Sequence, residues 1–152
     1  MEIRAGDFDD PQVVELLRFH VEGMHASSPP GTCFVLDVSG LKVPELSFFT
    51  VWDGPSLIGM GAIKELDDTS GEVKSMRTDP KHLRKGVGEK LLVHILDVAK
   101  ARRYRRLSLE TGTSAEFEAA LELYRKHGFV KGEAFADYEP SAHNQFFHLD
   151  LA

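Results

Sequence analysis

Between Met76 and Leu92 the chain passes from an alternating strand through Asp79-Pro80 and a basic loop into a helix opened by Gly86-Val87-Gly88. Few folds accommodate that succession. Pro80 ends the strand, because proline brings no N–H to a ladder and restricts the residue before it. The two glycines start the helix without a Cβ beside its first turn. The N–H groups of that turn lack partners inside the helix, and the helix dipole adds to their positive character. With Lys81, Arg84 and Lys85 they make a place for a polyanion such as a pyrophosphate.

Charge is distributed to match. The 152 residues carry 24 acids and 18 bases, a net of −6, which taken whole argues against a nucleic-acid binder. Residues 1–70 have a net of −8 and residues 132–152 a net of −4, whereas residues 71–131 have a net of +6. A basic run is more often a solvated helix face than a site, but this one contains the Gly-x-Gly helix start. A P-loop would need G-x-x-x-x-G-K-[ST], which is absent. A dinucleotide fingerprint would need a third glycine where Leu91 stands.

Around this stretch the patterning predicts one α+β domain over residues 1–152, with a mostly antiparallel twisted sheet flanked by helices. Glu2–Ala5 reads as a short strand. Asp9 or Asp10 caps a helix with Pro11 in its first turn. Phe34–Val43 is a short helix or a loop. Leu46–Trp52, Leu57–Glu65 and Glu72–Thr78 form a meander across Asp53-Gly54-Pro55 and Asp67–Gly71. In the third strand Glu72, Lys74, Met76 and Thr78 alternate with Val73, Ser75 and Arg77. Val87, Leu91, Leu92, Ile95, Val98 and Ala99 stripe the long helix, and a strand follows over Leu107–Glu110. Thr113 and Glu116 have capping-box spacing before the next helix, which Gly128 stops as a left-handed cap. Phe129–Val130 and Gln145–Leu151 are the last strands. Cys33 has no second cysteine to pair with and reads as a small apolar filler. No His/Cys cluster has metal-ligand spacing, so no metal is expected. No apolar run approaches the roughly 20 residues of a membrane helix, and the N-terminus has no hydrophobic signal region. A cytoplasmic protein without a membrane partner is the expectation.

The strand, Asp-Pro, basic loop and Gly-x-Gly helix resemble the acyl-CoA binding motif of the GNAT superfamily of N-acetyltransferases. Ala120-Leu121-Glu122-Leu123-Tyr124-Arg125-Lys126-His127-Gly128-Phe129 resembles that superfamily's second signature, Ala-x-x-x-Tyr-x-x-x-Gly-Phe. The two stand in the family's order, and the element order of nearly the whole chain is similar to it. The Arg-Leu-Ser-Leu-Glu-Thr-Gly strand is similar to a bacterial branch of small-molecule acetyltransferases. The resemblance implies acetyl-CoA as co-substrate and direct attack by an amine in a ternary complex. It implies that Met76, Arg77 and Thr78 offer strand backbone to the pantetheine arm. It also implies that Leu83, Arg84, Lys85, Gly86, Val87, Gly88, Glu89 and Lys90 cradle the pyrophosphate. Two positions depart from the pattern. Leu83 falls on the first loop position, usually Gln or Arg, and Phe117 stands where an Asn often contacts pantetheine.

Tyr124 matches the tyrosine that protonates the departing thiolate, although its apolar helical face also suits a core residue. An amine is protonated at neutral pH and needs a base, for which Glu72 and Glu110, at strand ends, are candidates. His25 and His143 lie in flanking loops and read as surface residues. The acceptor side is expected from residues 24–32, 111–114 and 134–144, with Phe135, Tyr138 and Trp52 as an apolar wall. The partner is a small-molecule amine, with protein amines also open and exposed sheet edges compatible with a homodimer. A non-catalytic acyl-CoA-binding module on the same fold is the alternative.

Overall fold

The structure is a computed structural model and describes residues 1–28 and 38–151. Cys33, the N-terminal part of the Phe34–Val43 stretch and part of the expected acceptor loop lie outside the described residues. Strands β1 (Glu2–Ala5), β2 (Leu46–Asp53), β3 (Ser56–Asp67), β4 (Ser70–Thr78), β5 (Arg106–Gly112), β6 (Val130–Gly132) and β7 (Asn144–Asp150) form one sheet in the order β1-β2-β3-β4-β5-β7-β6. Helices α1 (Pro11–Ala26), α2 (Val38–Leu41), α3 (Val87–Ala101) and α4 (Glu118–Lys126) flank it. Every neighbouring pair is antiparallel except β4 and β5. The expected element order and α+β class are those found. Among the described residues no helix is long and apolar enough to cross a membrane.

Each face of the sheet buries its own apolar set. On one face, Leu92, Ile95 and Leu96 of α3 and Leu121 and Tyr124 of α4 pack with Ile63, Val73, Leu109 and Phe147. On the other, Val13, Leu16 and Leu17 of α1 pack with Phe48, Trp52, Met60 and Ala62. Burying side chains of this size is worth about 1.5–3 kcal/mol each, so both layers are anchored by their apolar stripes. Helix α1 starts as its sequence predicts, with the Asp10 carboxylate accepting from the Gln12 N–H at 2.8 Å. The Thr113–Glu116 capping box does not form. Thr113 Oγ1 instead donates to the Ala142 carbonyl at 3.1 Å, and a short 3₁₀ turn over Ala115–Phe117 leads into α4.

Strand β4 departs from plain alternation. Ser75 has φ of 56°, and the β3–β4 register slips between Met60 and Ala62. That is a β-bulge, an extra residue that bends the strand and increases its twist. Before it, Lys74 stands opposite Ala62 and shares the α1 face with it. After it, Arg77 stands opposite Met60, also on the α1 face, while Thr78 stands opposite Gly59. The alternation read from sequence grouped Met76 and Thr78 with Glu72. The bulge reverses this, so Met76 packs with the α3 layer and Arg77 joins Glu72 and Lys74 on the opposite face.

The bulge also bears on β5. Strands β4 and β5 pair only from Ser70↔Arg106 to Glu72↔Ser108 and then diverge, although β4 continues to Thr78 and β5 to Gly112. Helix α3 begins at the far end of this gap and is seated by Gly59, where a Cβ would stand 2.5 Å from Val87 Cγ1. A Gly59→Ala protein is therefore expected to be destabilised by about 1–3 kcal/mol through overpacking, measured by urea denaturation, with the first turn of α3 displaced.

Candidate active site

The gap between β4 and β5 is the mouth of a cleft of about 640 Å³. Its walls are β4 from Glu72 to Thr78, β5 from Leu109 to Thr111, the start of α3, one face of α4 and the second half of α1. At one end lies the basic loop. Arg84 and Gly86 both have positive φ, 64° and 80°, and turn the backbone into α3. Gly86 occupies the cap position without a side-chain cap bond, so no side chain occupies the N–H groups of the first turn. Thr78 Oγ1 lies beside Gly88, 3.9 Å from where a Cβ would be.

The loop residues named from sequence divide into two groups. Leu83, Arg84, Gly86, Val87, Gly88 and Glu89 line the cleft with Met76, Arg77 and Thr78, and Leu83 is 59% exposed there. The side chains of Lys85 and Lys90 do not line it. Lys85 Nζ lies 3.3 Å from His82 Nδ1. Glu89 points across to α4, where its Oε1 accepts from Lys126 Nζ at 2.8 Å and lies 3.1 Å from His127 Nε2. Those contacts draw its pKa below the usual range, the Lys126 hydrogen bond first. Glu89 therefore offers the cleft its backbone and ties together the two helices that flank it.

Midway along, Tyr124 lines the cleft from α4, 6% exposed, with its ring edge-on to Phe129 at 5.7 Å. Burial pushes its phenol pKa upward, so the hydroxyl keeps its proton at any working pH. Phe117 is buried at the end of β5, and a Cβ on Gly112 would come within 2.2 Å of its ring. That packing gives the aromatic residue at this position a structural role.

On the α1 face the cleft holds a polar cluster. Glu72 is only 3% exposed. Its Oε2 accepts from Lys74 Nζ at 3.1 Å and from the Tyr138 hydroxyl, and Lys74 Nζ also donates to Tyr138 Oη at 2.6 Å. Glu110, one strand away, sits next to this group. Burial pushes its carboxyl up to about 7, and the Glu72 charge adds to that. Lys74 and a hydrogen bond from Asn144 pull in the opposite direction. Burial also raises the Tyr138 phenol, followed by the adjacent Glu72 carboxylate. The two expected carboxylates are thus brought together in different states: Glu72 paired with a cation, Glu110 partly protonated near neutrality.

Of the residues expected on the acceptor side, some lie at the cleft and others do not. Met24, Ser27 and Thr111 line the cleft, and beside it Phe135 and Tyr138 pack on each other at 5.2 Å and on Phe146 at 5.8 and 6.0 Å. Trp52 does not; it is buried against α1, and its indole N–H donates to Thr50 Oγ1 at 2.9 Å. His25 and His143 are exposed and do not line the cleft. Sequence reasoning missed Lys74 and Asn144 as partners of the carboxylates, and it gave His20 no place in the cleft. Lys74 had a signal, since i and i+2 share a strand face. Tyr138 comes from an irregular segment whose placement no local pattern reveals, and Asn144 is the first residue of β7. Among the described residues no group of His, Cys, Asp or Glu is gathered to hold a metal ion.

Comparison with known proteins agrees with this fold. The sequence model of the Acetyltransferase (GNAT) family matches residues 11–129. YedL of Escherichia coli K12, named an uncharacterized N-acetyltransferase, is 49% identical over 149 residues, covering 98% of this chain and 94% of that protein. A Klebsiella pneumoniae protein assigned to the acyl-CoA N-acyltransferases superposes with a TM-score of 0.82 at 27% identity, covering 99% of this chain and 97% of that one. A Bacillus subtilis acetyltransferase solved in complex with CoA has the same fold, with a TM-score of 0.73 at 19% identity and 99% of each chain covered.

The cluster makes stability depend on pH. Because Glu110 holds its proton more tightly when folded, its contribution is greatest below its ordinary value of 4.5 and is lost as pH rises toward about 7. Glu110→Gln removes that dependence. Thermal melts are expected to show wild type losing stability between pH 4.5 and 7 relative to the variant, with the variant the more stable at pH 8.

Proposed function

The chain belongs to the GNAT family of acetyl-CoA-dependent N-acetyltransferases, and on that premise we propose that it transfers the acetyl group of acetyl-CoA to the amine of a small molecule by direct attack in a ternary complex. The observation that carries this reading is the divergence of β4 from β5. It leaves a strand edge running from the carboxylate cluster to the uncapped start of α3. An extended pantetheine arm adds to such an edge as a strand would, through main-chain hydrogen bonds. Its pyrophosphate then meets the N–H groups at Gly86–Glu89, with Arg84 beside them.

The thioester carbonyl would sit between Tyr124 and the Glu72–Glu110 cluster. Glu110 is the better base of the two, because a group that titrates near 7 is ionised often enough to take the ammonium proton and basic enough to hold it. Glu72 is committed to Lys74 and Tyr138 and holds the opposite wall. The free amine attacks the carbonyl carbon, the tetrahedral intermediate collapses with cleavage of the C–S bond as its nitrogen gives up its extra proton to solvent, from which Tyr124 later recovers the one it donates, and the thiolate leaves. Tyr124, which keeps its proton, lies on the side where that thiolate emerges and supplies it. The N-acetyltransferase named among the relatives favours turnover over a binding-only module.

Thiol release measured across a panel of small amines is the direct test; acetyl-CoA binding without release for any amine would overturn the reading. In an active pairing kcat/KM should rise with pH on a limb near 7. Glu110→Gln should lower kcat by about 10²–10⁴ and abolish that limb. Tyr124→Phe should lower kcat while leaving the acetyl-CoA dissociation constant unchanged.

A further inference from the structure

The cleft has a second charged group on the α1 face that the transfer chemistry does not use. We propose that Arg77 is an acceptor-binding residue that takes a carboxylate, so that the amine acetylated by this protein is a zwitterion resembling an amino acid. This rests on the transfer reading above and names its substrate class.

The strand register gives the first argument. Arg77 stands opposite Met60, whose side chain packs with α1, whereas Thr78, opposite Gly59, faces the start of α3. The Arg77 backbone thus belongs to the strand edge, but its side chain lies on the opposite face of the sheet from the phosphate end of the cleft. It lies on the same face as Glu72 and Lys74.

The guanidinium is also short of charge partners. Its Nε donates to His20 Nδ1 at 2.9 Å, and its Cζ lies 5.5 Å from the centre of the Phe19 ring. Both are neutral groups: burial, then the Arg77 charge, holds His20 down to about 3, so the imidazole accepts and does not compete as a cation. No carboxylate among the described residues forms an ion pair with Arg77. Burial alone shifts its pKa, downward, with no acid offsetting it. A half-buried cation without a counter-ion is costly, and supplying the anion relieves that cost. Arginine presents a planar fork that matches a carboxylate at two points.

The cleft gives the ligand room. Gly23, in the interior of α1, stands over the guanidinium and leaves that flank free of a side chain; a Cβ there would already touch Nη2, at 3.4 Å. Glycine is a poor choice inside a helix apart from the space it leaves. Met24 and Ser27, on the next turn, line the cleft with His20 and Arg77. Among the described residues the face therefore carries an uncompensated cation at Arg77 and an acidic centre at Glu110. An acceptor with a carboxylate and an amine complements both ends.

The test compares acids with neutral twins. The twenty L-amino acids and their C-terminal amides are assayed for thiol release, and the same compounds are titrated into the CoA complex while its melting temperature is followed. Wild type is expected to favour the best acid over its amide by about ten- to hundredfold in kcat/KM, the range of a charge-assisted hydrogen bond. Arg77→Ala should lose that preference mainly through KM, Arg77→Lys should recover part of it, and acetyl-CoA affinity should hold in both. Equal turnover of acids and amides by wild type overturns the proposal and leaves the transfer reading standing. Loss of acetyl-CoA affinity in Arg77→Ala also overturns it, because the side chain would then serve the cofactor. If no compound is acetylated but acids alone raise the melting temperature, and do so only with Arg77 in place, the carboxylate site stands and the transfer reading falls. If neither turnover nor a melting shift distinguishes acids from amides, the carboxylate site falls.

Discussion

Three consecutive residue pairs between β4 and β5 hold the sheet together, and everything of chemical interest follows from the pairing stopping there. A parallel pair allowed to run on would have satisfied the β4 edge with β5 and closed the cleft. Instead the Ser75 bulge turns β4 aside, toward the start of α3. The cost of leaving backbone groups without sheet partners is offset if a ligand with regularly spaced amides takes their place. On the proposed reading the architecture is a sheet with a place kept for a guest strand, and the uncapped helix start fixes which end of the guest lies where.

The polar cluster adds a different constraint. Two carboxylates on adjacent strands cannot both ionise without penalty in a buried setting. Lys74 pairs with Glu72 at 3.1 Å, and Glu110 carries the perturbation, its carboxyl pushed up to about 7. The lysine is 10% exposed, so its attraction is only weakly diluted by solvent. The same cluster is held from the side by Tyr138, so the segment before β7 sets the electrostatics of residues on β4 and β5.

The fold was readable from the chain because its determinants are local. Asp53-Gly54-Pro55, Asp79-Pro80, the Gly86-Val87-Gly88 helix start and the Gly128 stop each act within a few residues, and the α3 stripe records its own buried face. The basic loop and the uncapped helix start at one end of the cleft were readable for the same reason, being one loop and one helix turn. The other end was not. The side on which Arg77 lies depends on a bulge that no turn residue announces, and strict alternation from Glu72 gives the opposite answer. Glu72 reads as an exposed strand-end acid until Tyr138, 66 residues away, is placed over it. The Thr113–Glu116 spacing fits a capping box, but Ala142 supplies Thr113 with a better-placed partner from another part of the chain.

The bulge sets the parity of β4. Upstream of Ser75 even-numbered residues face α1, and downstream odd-numbered ones do. A one-residue deletion at Ser75 would leave every later side chain on its present face and only shorten the strand. The same deletion one turn of the pleat away, on either side, would carry part of the strand through the sheet and exchange charged groups for core ones. Length variation among relatives of this chain is therefore tolerable at one position of β4 and ruinous at its neighbours, and a gap that falls elsewhere in the strand marks a protein whose α1-facing side of the cleft has been rebuilt.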